Sequence, residues 1–164
     1  MTKVLVVMGV SGCGKTTIGE SLARRLGWRY VEGDRLHPPG NVEKMRNGVP
    51  LDDDDRGPWL AAIASRIAEL RAEGHGVVVA CSALKKAYRE QLRGDRADVR
   101  FAYLKGDRAA IAERLARRSH AYMPASLLDS QFAALEEPGP DENAIVVSIE
   151  RSPAEIVAAI VTSR

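Results

Sequence analysis

Cysteine is scarce in this chain. Its two copies, Cys13 and Cys81, lie far apart and in no CxxC or Cys/His pattern. That excludes a disulfide framework or a zinc site and points to a reducing compartment. Aromatic residues make up only 5%, too few for a broad stacking platform. No apolar stretch approaches the roughly 20 residues needed to cross a bilayer. The first apolar run, VLVVMGV, is short and leads into a glycine-rich turn, unlike a signal peptide. An excess of one charge is also missing: the formal net charge is +2, and lysines and arginines are interleaved with acids. A nucleic-acid partner and a membrane partner are therefore not expected, and the cytoplasm is the expected location.

What is present is one domain's worth of alternating pattern. A chain of 164 residues supports one sizeable core and not two. Short apolar runs at 4–8, 28–31, 77–81, 101–104 and 144–149 read as strands. Most are continuous rather than alternating, as in a parallel sheet covered on both faces. Between them, Thr16 to Leu26 places Ile18, Leu22 and Leu26 on one helical face, and Gly27 stops it. Pro58 to Glu73 aligns Leu60, Ile63, Ile67 and Leu70, with Pro58 suited to a first turn and Gly74 to a termination. Further helices are expected near 84–93, 107–118, 125–136 and 153–162. This order describes an open α/β sheet with right-handed crossovers.

The stretch GVSGCGKT fits G-x-x-x-x-G-K-[ST], directly after a strand and opening a helix, which is the context the motif requires. Over Gly9, Val10, Ser11, Gly12, Cys13, Gly14, Lys15 and Thr16, the glycines let consecutive N–H groups turn toward phosphate oxygens, aided by the helix N-terminus. Lys15 would bridge the β- and γ-phosphates of ATP, and Thr16 would give Mg²⁺ a hydroxyl ligand. Cys13 reads as a spacer inside the loop.

The rest of the chain narrows the class. No Asn-Lys-x-Asp motif for guanine is present, and the apolar strand VVVAC ends in Cys-Ser rather than in aspartate. Glu32 and Asp34, at the end of the second strand, face the crevice where α/β sheets bind ligands. This favours a small-molecule kinase. Asp34 would accept a hydrogen bond from the acceptor hydroxyl and take its proton, or else cap the strand–helix turn. Glu32 would hold a magnesium-bound water.

GDRLHPPGNVEKM (33–45), GVPLDDDDRGPWL (48–60), CSALKKAYREQLR (81–93) and LLDSQFAALEEP (127–138) occur in order behind the P-loop. Together they resemble the signature blocks of bacterial gluconokinases and cover most of the chain. The resemblance implies ATP-dependent phosphorylation of D-gluconate at its 6-hydroxyl. It also implies the shikimate kinase-like P-loop fold, with a five-stranded parallel sheet in the order 2-3-1-4-5, a helical lid near 114–126, and a homodimer.

A polyol ending in a carboxylate needs cations and several hydrogen-bonding groups. Arg56 has the planar fork for the carboxylate; the alternative is pairing with the aspartates beside it. Asp53 or Asp55 is suited to orient it, the run Asp52 to Asp55 being otherwise a solvated helix entry. Trp59 reads as core or pocket wall. His37 is a candidate ligand for a hydroxyl. Ser82 would either bond a hydroxyl or cap the next helix. Lys85 and Arg89, four apart, would form a cationic patch on one helix face. Arg114 and Arg118 share a face near the end of 107–118 and would reach over the phosphates of ATP, with Arg118 offsetting transition-state charge. The family's Arg-x-x-His-Phe-Met lid is altered here to Arg118-Ser119-His120-Ala121-Tyr122-Met123, so the lid histidine does not carry over to His120 by position.

Overall fold

The computed structural model describes residues 1–117 and 125–164. In chain order its elements are β1 (Val4–Met8), α1 (Lys15–Leu26), β2 (Arg29–Glu32), α2 (Pro39–Arg46), α3 (Asp53–Ala72), β3 (Val77–Ala80), α4 (Lys86–Arg93), β4 (Val99–Lys105), α5 (Arg108–Ala116), α6 (Ala125–Ala134), β5 (Ile145–Ser148) and α7 (Pro153–Ser163). Short 3₁₀ turns at Gly33–Leu36 and Pro140–Glu142 precede α2 and β5. All strand pairings are parallel, in the order β2-β3-β1-β4-β5. This is the sheet that the family resemblance implies.

Successive residues of a strand point to opposite faces, so a central strand covered by helices on both sides must be apolar throughout. Every residue of β1 is buried accordingly. Leu5 and Val7 pack with Ile18 and Leu22 of α1 and Ile156 and Ile160 of α7. Val4, Val6 and Met8 pack on the other face with Leu60, Ile63 and Ile67 of α3 and Leu92 of α4. Each such side chain contributes about 1.5–3 kcal/mol on burial. The edge strand β5 instead alternates buried and exposed positions, leaving Val146 open to solvent.

Helix α3 begins earlier than its hydrophobic pattern implies. The Asp52 side chain accepts from the Asp55 N–H at 2.8 Å, while the Asp55 carboxylate accepts from the Asp52 N–H at 3.0 Å. This reciprocal pair satisfies two otherwise orphaned donors and starts the helix at Asp53. Pro58 therefore sits inside α3 and not in its first turn. The aspartates are a helix entry, as expected, and the capping pair offsets the one backbone hydrogen bond that proline forfeits.

The strand order decides where chemistry is possible. Adjacent strands β2, β3 and β1 end side by side, which brings the segments after Glu32, Ala80 and Met8 to one edge of the sheet.

Candidate active site

The loop after β1 takes backbone conformations that side chains avoid: φ is 144° at Gly9, 88° at Gly12 and 100° at Gly14. Its glycines are thus conformational requirements. Cys13 is sealed beneath the loop, 1% exposed, with its Sγ where a Cβ on Gly9 would fall; it is the spacer that the sequence suggests. Lys15 Nζ donates to the carbonyls of Gly9 and Val10 at 3.0 and 3.1 Å. The ammonium is held over the loop with a further N–H to spare.

Arg114 of α5, expected from sequence to reach over the phosphates, donates to main-chain carbonyls of the loop and of the segment after β5. Nη1 donates to Cys13 O at 3.3 Å and Nη2 to Ile149 O at 2.7 Å. Gln131 was not singled out from sequence. Its Oε1 accepts from the Ser11 N–H at 2.7 Å, and its Nε2 donates to Ser11 Oγ at 3.0 Å. The contact joins residues 120 positions apart, so no local pattern signals it.

Thr16 Oγ1 donates to Glu32 Oε2 at 2.7 Å, and the Tyr30 hydroxyl donates to the same oxygen at 2.6 Å. Burial, with Glu32 next, raises the Tyr30 hydroxyl above its ordinary range. Because the Thr16 proton is directed to Glu32, the hydroxyl's lone pairs are left for a cation. That is the donor set a P-loop magnesium ion needs besides phosphate oxygens.

Across the sheet edge lies a cavity of about 220 Å³ lined by Ser11, Lys15, Asp34, His37, Arg56, Trp59, Ser82 and Gln131, among others. Asp34 lies in the 3₁₀ turn after β2. Among the described residues its carboxylate makes no hydrogen bond, and the turn's N-cap is Glu32 without a side-chain cap. The capping alternative for Asp34 therefore does not apply. The same holds for Ser82: α4 starts at Lys86 with Lys85 as its N-cap, leaving the Ser82 hydroxyl at the cavity. The fold also needs a glycine at 33, where a Cβ would lie 2.4 Å from Ala80 O. Trp59 Nε1 donates to Gly33 O at 2.8 Å, so Trp59 is core and pocket wall at once.

The cations divide. Arg56 Nη1 donates to the Tyr88 hydroxyl at 3.1 Å, and its guanidinium lies over the Tyr88 ring, 5.4 Å from the centroid. Lys85 Nζ donates to Asp53 Oδ1 at 2.9 Å and lies 5.7 Å from the same ring. The Tyr88 hydroxyl also donates to Asp53. Burial, then that bond, raises the Tyr88 hydroxyl, while the Tyr88 and Lys85 bonds lower the Asp53 carboxyl. Asp53 therefore orients Arg56 through Tyr88, whereas Asp55 turns to Lys44 at 2.8 Å. Tyr88 was missed from sequence, although it stands three residues after Lys85 in the same block.

Arg89 does not join them. It is 2% exposed, and its guanidinium donates to both Glu142 oxygens at 2.6 and 3.0 Å and to the carbonyls of Ala83, Leu84 and Glu136. The expected shared face with Lys85 fails because Lys85 is the extended N-cap of α4 (φ −99°, ψ 148°), outside the helical spacing. Arg89 is corrected from substrate ligand to the buried partner of Glu142, whose carboxyl it holds below the ordinary range. Arg118 and His120 lie outside the described residues.

His37 is half-buried between Asn41 and Trp59. Its ring stacks on the Trp59 ring with centroids 4.1 Å apart and planes 16° apart. Burial holds its pKa below 6.5, Asp34 opposing that and Arg56 reinforcing it.

Comparison with known proteins agrees with this geometry. A family model described as AAA domain matches residues 4–138. A gluconokinase of Gluconobacter oxydans (strain 621H) is 56% identical over 151 residues, spanning 92% of this chain and 85% of that protein. A crystal structure of a gluconokinase from Sinorhizobium meliloti 1021 superposes with a TM-score of 0.89 at 45% identity, covering 98% of this chain and 90% of that one. A sugar kinase from Janibacter sp. HTCC2649, solved without ligand, gives a TM-score of 0.93 at 41% identity, covering 99% and 94%.

Proposed function

This chain belongs to the gluconokinase family, and on that premise we propose that it phosphorylates D-gluconate at the 6-hydroxyl, with the residues of the cavity dividing the work. It is an ATP-dependent gluconokinase. The observation that carries the assignment of roles is the sheet order, which sets Asp34 and Ser82 beside the P-loop, with Arg56 at the same cavity.

Asp34 accepts a hydrogen bond from the 6-hydroxyl, orients it in line and receives its proton as the new P–O bond forms. Arg56, held by Tyr88, takes the substrate carboxylate with Lys85 beside it; Ser82 and His37 bond hydroxyls between the two ends. Lys15 and the loop N–H groups of 9–16 hold the phosphates of ATP, and Arg114 supports the loop from α5. Thr16 and, through water, Glu32 would hold magnesium, which would supply charge neutralisation at the phosphates. The lid that the family resemblance implies near 114–126 would supply Arg118, which lies outside the described residues, to offset charge in the transition state. The enzyme works as one domain in the cytoplasm, as a homodimer.

The test incubates the protein with MgATP and a panel of sugar acids plus shikimate, reading ADP release. ³¹P NMR of the product then locates the new ester. Turnover of gluconate with the phosphorus coupled to two methylene protons is the expected result. Activity on shikimate alone, or a phosphorus coupled to a single methine proton, would overturn it.

A further inference from the structure

Asn41 is a polar side chain with almost no access to water, 5% exposed on α2. Its Nδ2 lies 2.8 Å from the main-chain oxygen of Asp55 and 3.1 Å from His37 Nδ1. A carbonyl oxygen only accepts, so the Asn41 atom that touches it is the amide nitrogen, with two protons to give. One goes to Asp55 O. The other points at His37 Nδ1, which must then accept it. A neutral imidazole accepts at one nitrogen and donates from the other, so the ring proton of His37 resides on Nε2. An imidazolium would set an N–H against the N–H of Asn41.

We propose that Asn41 is a positioning residue that fixes His37 as the neutral, Nε2-protonated imidazole, so that His37 meets the sugar acid only as a hydrogen-bond donor. Stacking on Trp59, itself tied to Gly33 O, fixes the plane of the ring, and the contact with Asn41 Nδ2 sets which edge faces α2. Among the described residues Nε2 has no hydrogen-bond partner, and no side-chain polar atom is sealed from water without one. The donor is thus accessible, and His37 lines the cavity with Asp34. A hydroxyl oxygen that accepts from His37 keeps its own proton for an acceptor such as Asp34. The pair forms a donor–acceptor frame complementary to an alcohol. Burial of the ring acts in the same direction by disfavouring its charged form.

The inference rests on the assignment of His37 as a substrate ligand, and the test separates the two. In ¹⁵N-labelled protein, long-range ¹H–¹⁵N correlation reads each ring nitrogen of His37, identified by its loss in His37→Gln. The expected wild-type pattern is a protonated Nε2 and a bare Nδ1; a protonated Nδ1 overturns the proposal, whatever any variant does. In Asn41→Asp the donor becomes an acceptor, and in spectra recorded at about pH 8, where the ring is neutral, the proton is expected to move from Nε2 to Nδ1, leaving Nε2 bare. With it, the KM for gluconate should rise about tenfold, the worth of one lost hydrogen bond, while the KM for MgATP stays within about twofold. A variant spectrum identical to wild type overturns the role of Asn41. A switched spectrum with an unmoved gluconate KM overturns the donor role of His37 and leaves the kinase assignment intact.

Discussion

The Tyr88 hydroxyl accepts from Arg56 Nη1 at 3.1 Å and donates to Asp53, so one phenol sets the direction of the guanidinium at the cavity. The hydroxyl stays protonated because burial and Asp53 both push its pKa up. Tyr88→Phe removes this bond and keeps the ring under Arg56. The expected result is a gluconate KM raised about two- to tenfold, matching one hydrogen bond, with the KM for MgATP and the unfolding midpoint nearly unchanged. Equal rises in both KM values would show that Tyr88 supports the cavity as a whole.

Arg56 itself carries more. Arg56→Ala is expected to raise the gluconate KM by about 10–100-fold, as for a lost charge-assisted pair. Arg56→Lys should recover only part of that, since an ammonium cannot engage two carboxylate oxygens in one plane. Steady-state kinetics with each substrate varied in turn checks this.

Arg89 should behave in the opposite way. Replacing it by Leu leaves Glu142 buried without its cation and strips a donor from the carbonyls of Ala83, Leu84 and Glu136. The expected loss of stability is about 3–5 kcal/mol, the usual cost of breaking a buried pair, read from urea unfolding. If the folded fraction of Arg89→Leu showed a large rise in gluconate KM with normal stability, the buried role would be wrong.

His37 gives a pH signature. Its folded pKa lies below the ordinary 6.5, chiefly through burial, with Asp34 raising it and Arg56 lowering it. Above 6.5 the ring is neutral in both the folded and the unfolded chain, and its contribution does not vary. As pH falls through 6.5 the unfolded chain takes up a proton first, so stability is lost down to the folded pKa and then levels off. Thermal melts between pH 5 and 8 should therefore show a steeper acid-side decline in wild type than in His37→Gln.

Chain order and side-chain period made the architecture legible early. The continuous apolar runs at Val4–Met8 and Val77–Ala80 demanded cover on both faces, and glycine spacing in GVSGCGKT demanded a phosphate loop. The boundaries of α3 were less legible, because a capping pair between Asp52 and Asp55 starts a helix ahead of its first buried residue. Asp34 and Ser82, which follow the ends of β2 and β3, were legible from strand position, whereas Arg56, inside α3, was singled out by its planar fork and the family resemblance; all three line the cavity.

The sequence by itself determined the strands of a parallel sheet and the phosphate loop, since these depend on local spacing and hydrophobic period. The strand order and the blocks around the cavity were legible only through the family resemblance. Tertiary structure alone decided which side chains share a partner. Lys85 and Arg89 are neighbours in the chain, yet one reaches Asp53 at the surface and the other Glu142 in the interior. Asn41, Tyr88 and Gln131 owe their roles to contacts with Asp55, Arg56 and Ser11 made across packed elements. Hydrogen-bond partners are chosen by distance and direction in the folded molecule, and neither is written in the order of residues.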